Sequence, residues 1–219
     1  MRSESMKRFV MCVVLAAMVM GSICAEKTKI HGIGLSVPIE AQYWWHFDDV
    51  LLDETVSTVG INLNYKNMSV HGESWVGFSA IYEMQLGYSF GFISDENFSM
   101  LDALNLKWGW GVAFRPTDKI ILAAHGTLGL DAKIAVGDNF LDFNSLTARI
   151  GDDVVFIYKC TNSFGISVEI DTYVPVMGYG SYSILTNKYH DGKQLRSQEN
   201  YLIYGGIGCD LKFGVCWVY

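Results

Sequence analysis

The feature that most constrains this chain is a two-residue alternation of apolar and polar side chains that returns in eight separate segments. Residues 104–115 show it plainly: Leu104, Leu106, Trp108, Trp110, Val112 and Phe114 share one parity, and Asn105, Lys107, Gly109, Gly111, Ala113 and Arg115 the other. Successive strand side chains point to opposite faces, so such a segment reads as a strand with one greasy and one polar side. The pattern recurs over 30–43, 55–66, 73–92, 120–136, 143–160, 164–174 and 201–219. Short connections rich in Pro, Asp, Asn and Gly ("NMSVHG", "RPTDK", "CTNS") alternate with longer ones near 44–54, 91–103, 137–142 and 175–200, which predicts an up-and-down meander. No linker or second domain interrupts it.

An eight-stranded meander of this kind closes into a barrel in one of two senses. A soluble barrel turns its apolar parity inward, whereas a membrane barrel turns it toward lipid and keeps a polar lumen. The polar parity carries many glycines, among them Gly32, Gly60, Gly109, Gly129, Gly165 and Gly208. Glycine weakens a water-facing strand but makes room in a narrow interior. The apolar parity is uniformly bulky, more than an eight-strand lumen can hold. Segments of this length suit a tilted membrane strand of about 9 to 11 residues. Tyr and Trp gather near the predicted strand ends, where ring and polar tip each find their solvent. The expected fold is all-β, an eight-stranded antiparallel transmembrane β-barrel.

The first 25 residues have a basic start (Arg2, Lys7, Arg8), an apolar run from Phe9 to Met20 and a small-residue end at Ala25. They read as a secretory signal peptide, too short for a membrane span, with residues 26–219 as the barrel domain. A lipoprotein alternative acylates Cys24, although Ile23 is a poor residue before it. Beyond this segment no stretch reaches the 18 apolar residues that a membrane helix requires. Removing residues 1–25 leaves 13 Lys and Arg against 22 Asp and Glu, a net charge of −9. Such acidity argues against nucleic acid or an anionic membrane surface as the general partner. The remaining Cys160, Cys209 and Cys216 have no metal-site spacing. Cys209 and Cys216 sit on one strand roughly 23 Å apart, at about 3.3 Å per residue, so they cannot bridge.

The end of the chain, "DLKFGVCWVY", stays apolar to its last residue. Phe213, Val215, Trp217 and Tyr219 resemble the C-terminal signal that the barrel-assembly machinery reads, with Tyr in place of the commoner terminal Phe. Together with the eight strands, the chain resembles the small outer-membrane barrels of the OmpA, OmpX and OmpW types, and its cysteines and signal peptide are compatible with a spirochaete (treponemal) member. The resemblance implies a bacterial outer-membrane location, termini in the periplasm, long loops outside, and outer-membrane lipid and the assembly machinery as partners. An OmpW-like role implies a channel for small solutes or small hydrophobic molecules, with an apolar lumen from which this sequence departs.

The inward parity supplies the candidate lumen network. It comprises Glu83, Asp131, Arg149, Glu169, Asp210 and Lys212 at middle or upper heights, with Glu40 and Lys107 nearer the top. Mixed signs in a buried lumen must pair, either as a plug or as the lining of a narrow polar path. The alternative to a channel is a non-conducting, surface-exposed interaction barrel that binds extracellular or host proteins through its loops. Acidic loop residues such as Asp48 and Asp49, and Asp102 in the second long loop, contrast with Lys188, Lys193 and Arg196 in the last. His46 beside Asp48 and Asp49, and His190 beside Asp191, are the histidines that a hydrolase reading needs. No Ser stands near either in a recognisable motif, so no catalytic residue, cofactor or metal is expected.

Overall fold

The computed structural model describes residues 27–46, 53–72, 75–93, 96–135, 144–190 and 193–219; the expected signal peptide, His46's neighbours Asp48 and Asp49, and Asp191 lie outside the described residues. Eight strands run in order: β1 (Lys27–His46), β2 (Asp53–His71), β3 (Val76–Ile93), β4 (Glu96–Thr117), β5 (Ile120–Ala135), β6 (Asn144–Lys159), β7 (Phe164–His190) and β8 (Lys193–Val218). Each pairs antiparallel with its neighbours, and β8 returns to β1, closing the barrel. Closure removes every sheet edge in the wall, which is the condition for a sheet to cross a membrane.

The two parities separate as the alternation predicts. Leu35, Ile61, Leu86, Val112, Leu146 and Phe213 stand exposed on the outer wall, while Asn64, Glu83, Lys107, Thr147 and Lys212 are buried on the inner one. An exposed apolar band of this extent has no place in water. It is the lipid-facing surface of a transmembrane barrel.

Of the local departures from the alternation, three bear on the lumen and the turns. Tyr201 and Ile203, on the parity of Phe213, are buried at 3% and 0%, whereas Tyr204 is 48% exposed. The cause is a bulge at Tyr204 of β8, opposite the step from Tyr43 to Trp44; two residues on, Gly206 takes a φ of 148° that L side chains rarely adopt. One extra residue flips every side chain beyond it. A second bulge, at Ala103 between Asp102 and Leu104 of β4, turns Asp102 into the lumen, 1% exposed, rather than onto an outer loop.

The third departure lies at the end of the barrel that carries the termini. There the inner wall is apolar: Ile30, Met68, Val70, Ile81, Ile157 and Cys216 belong to one buried cluster. Met68 and Val70 fall in "NMSVHG", read above as a turn. β2 instead continues to His71, and the turn is delayed to Gly72, with a φ of 108°. Of the expected loop at 175–200, the described residues 175–190 and 193–200 are likewise strand, paired from Gly178↔Ile203 to His190↔Lys193 with a register shift on the way. β6 leaves β7 at Ser181 and β1 leaves β8 at Tyr201. Beyond those residues β7 and β8 continue as a two-stranded ribbon, with no flanking strand among the described residues, roughly 30 Å long at about 3.3 Å per residue.

Candidate functional site

The lumen is where this sequence spends its buried polar residues, and the register explains how they meet. Lys66, Glu83 and Lys107 are direct cross-strand neighbours on β2, β3 and β4, and Glu169 and Lys212 are neighbours on β7 and β8. Opposite charges placed side by side on one face attract across the ladder. Inside a closed barrel the two rows also face each other.

Glu169 is the centre of the lower network. Its carboxylate accepts from Lys107 Nζ at 2.6 Å, Lys212 Nζ at 2.6 Å and Lys66 Nζ at 2.8 Å. Glu83 takes Lys107 at 2.9 Å and Lys212 at 2.8 Å. Gln85 donates to both Glu83 and Asp210, each at 2.8 Å. Asp171 lies 3.2 Å from Lys107 and 3.4 Å from Lys212. Lys107, expected nearer the top, therefore sits in this middle layer beside Glu169.

The upper network is built around Glu40, which pairs with Lys133. Lys133 also approaches Asp131 at 3.4 Å, and Gln42 donates to Glu40 at 2.8 Å. Arg149 donates to Asn105 Oδ1 and lies 4.3 Å over the Tyr173 ring, a cation–π contact. Two glycines make room for this layer. A Cβ on Gly129 would come within 2.5 Å of Arg149 Nε, and one on Gly208 within 2.2 Å of the Tyr173 ring. Above, Trp44 Nε1 donates to Gln42 at 2.9 Å and its ring meets Tyr201 at 5.5 Å, so aromatic rings cover the upper network.

All eight residues expected in the lumen network are buried inside the barrel, Glu40, Glu83, Lys107, Asp131, Arg149, Glu169, Asp210 and Lys212 alike. Lys66, Lys133, Asp153 and Asp171 join them, and parity is the signal that places them there. Among the described residues eight buried carboxylates face five buried cations. The surplus is visible as oxygens with no hydrogen-bond partner on Asp102, Asp131, Asp153, Asp171 and Asp210.

A second constellation is hidden in the sequence because its members are far apart in the chain. Ser79 Oγ lies 2.9 Å from His125 Nε2, and His125 Nδ1 lies 3.5 Å from Asp153. Nucleophile, base and carboxylate stand in the order hydrolases use. Ser79 is 0% exposed, and its hydroxyl also donates to the Ser69 carbonyl at 3.3 Å.

The expected loop residues Lys188, Lys193 and Arg196 fall on the backbone of the β7–β8 ribbon, where Arg196 pairs with Leu185 and Lys193 with His190. Phe213, Val215, Trp217 and Tyr219 line the outer wall of β8, with Tyr219 72% exposed.

No family model and no curated protein sequence matches the chain. Among solved structures it is similar to the outer membrane protein OprG from Pseudomonas aeruginosa. That match has a TM-score of 0.53 at 7% identity and covers 89% of this chain and 96% of that one. It is also similar to Neisserial surface protein A, at TM-score 0.41 and 13% identity over 88% and 98% of the two chains. A third similarity is to a major outer membrane protein from Thermus thermophilus, at 0.44 and 10% over 85% and 99%. At such identities what the OprG likeness shows is the fold, and the fold of this chain is that of a small outer-membrane β-barrel.

Proposed function

We propose that the chain is an integral outer-membrane barrel whose lumen is closed to solute flow and whose contacts with other molecules are made at its rim. The observation that carries this reading is the filled lumen: an apolar layer at the termini end, two interlocked charge networks, then the Trp44 and Tyr201 rings. A solute would have to part Glu169 from three lysines, and buried ion pairs are costly to break. The termini face the periplasm in this reading, and the basic β7–β8 ribbon reaches away from the cell, placed to meet extracellular proteins as loops on a rigid scaffold do. Lipid surrounds the wall, and the assembly machinery reads the end of β8.

Single-channel recording in planar bilayers tests the closed lumen. The folded barrel is expected to stay silent at moderate voltage. Regular step conductance would restore the channel reading, and the carboxylate surplus predicts that any such current is cation-selective.

The barrel is also proposed to have no catalytic role. Ser79 is fully buried, so a fluorophosphonate probe should label the folded protein no more than the Ser79→Ala variant does. Labelling that Ser79→Ala abolishes would establish a reactive serine.

A further inference from the structure

We infer that the outer wall near the termini holds a glycerophospholipid, with its phosphate in a polar groove across β1–β4 and an acyl chain in an apolar groove directly above it. The inference rests on the lipid-facing wall, and it holds whether or not the lumen conducts.

Nearly all of the described outer wall is apolar. Apart from isolated polar residues such as Asp152 and Thr172, polar side chains gather in a groove of about 410 Å³ near the termini. Two hydrogen-bonded rows build it. One runs His31, Asn67, Tyr82 and Trp108 across the four strands, and the other runs Lys29, Ser69, Ala80 and Trp110. Ser69 and Ala80 are small, so the wall dips between Lys29 and Trp110. Lys29 is exposed and held at its backbone by reciprocal bonds with Tyr219 at 3.0 and 2.9 Å. The groove thus offers one cation, an amide, a hydroxyl and an imidazole, and among the described residues no Asp or Glu lines it. That donor set complements an anion, and the flanking Tyr82, Trp108 and Trp110 mark the headgroup level of a membrane.

The second groove, about 310 Å³, lies on the same strands toward the middle of the wall, lined by Ile33, Leu63, Met84, Leu86 and Leu104 with Tyr65. Tyr65 joins the two: it lines the apolar groove while its hydroxyl lies 2.9 Å from His31 Nδ1 in the polar one. A free phosphate would use only the lower groove, and a bare hydrocarbon only the upper. One molecule with an anionic head and an acyl chain uses both.

Native mass spectrometry of the delipidated, folded barrel tests this with dioleoyl phosphatidylglycerol as probe, against dioleoylglycerol and inorganic phosphate. Lys29→Ala/Asn67→Ala removes donors, Ala80→Leu fills the dip, and Lys119→Ala on a nearby turn is the control. Heat-modifiable migration verifies folding of each. Phosphatidylglycerol is expected to bind as a single adduct that weakens about tenfold in both groove variants, the scale of losing a charged hydrogen bond, and is retained by the control. Dioleoylglycerol should give no adduct sensitive to these variants, and phosphate should not compete. An adduct unchanged in both groove variants, or one displaced by free phosphate, would overturn the inference.

Discussion

Replacing Glu169 with alanine is expected to cost about 3–5 kcal/mol of folding stability, the range for removing one partner of a buried ion pair. Glu169 holds Lys66, Lys107 and Lys212 at 2.6 to 2.8 Å, and it is 1% exposed. Its loss takes the shortest partner from Lys107 and Lys212, which keep Glu83 and Asp171 between them, with Asp153 3.3 Å from Lys107 and Asp210 3.7 Å from Lys212, and it leaves Lys66 with no other paired carboxylate among the described residues. Against a typical domain stability of about 5–15 kcal/mol this is a large share. Urea unfolding in lipid vesicles, followed by tryptophan fluorescence, measures it. Glu169→Gln keeps the acceptor oxygen and should lose less. Val154→Ala, on the exposed outer wall, should stay within about 0.5 kcal/mol. Equal effects of Glu169→Ala and Val154→Ala would mean that the lumen is wet and the charges are solvated.

Removing Trp217 to Tyr219 is the second large effect, and here closure and recognition can be separated. Trp217 pairs with both His31 of β1 and Phe164 of β7, and Tyr219 exchanges two backbone hydrogen bonds with Lys29. The deletion opens the seam at this end and leaves strand edges unpaired. It should abolish membrane insertion in cells and impair refolding into micelles as well. A short charged extension after Tyr219 leaves every seam bond in place. If the assembly machinery reads a terminal aromatic, the extended protein should fail to insert in cells yet refold normally into micelles. Normal insertion of the extended chain would reduce the terminal aromatic to a closure residue.

How much of this is legible in the sequence differs by layer. Period two fixes which side of the wall a residue occupies, so Glu83, Lys107, Glu169 and Lys212 can be placed inside without knowing their partners. Partners need register, which depends on where bulges fall. Nothing short of the paired strands shows that Ala103 and Tyr204 shift the parity beyond them, so Asp102 reads as a loop acid and Tyr201 as a lipid-facing ring. Turn chemistry misleads at "NMSVHG", because Asn67 sits on an outward strand position and the strand runs on to His71 before Gly72 takes its positive φ. That error also hides Met68 and Val70, and with them the apolar layer that closes the lumen near the termini. Ser79, His125 and Asp153 come from three strands, and only the closed wall brings them together.

The native cysteines report on all three environments at once. Cys160 is exposed on the turn between β6 and β7, Cys209 is exposed on the outer wall, and Cys216 is buried within the inner apolar cluster. In nanodiscs, where both membrane faces meet the solution, single-cysteine versions can be timed against a charged, water-soluble maleimide. The predicted order is fast labelling of Cys160, negligible labelling of Cys209 because lipid covers it, and none of Cys216 until the barrel is unfolded. Labelling of Cys209 as fast as Cys160 would put the outer wall in water, and labelling of Cys216 in the folded barrel would show the lumen open to solvent; either result contradicts a closed, lipid-embedded barrel.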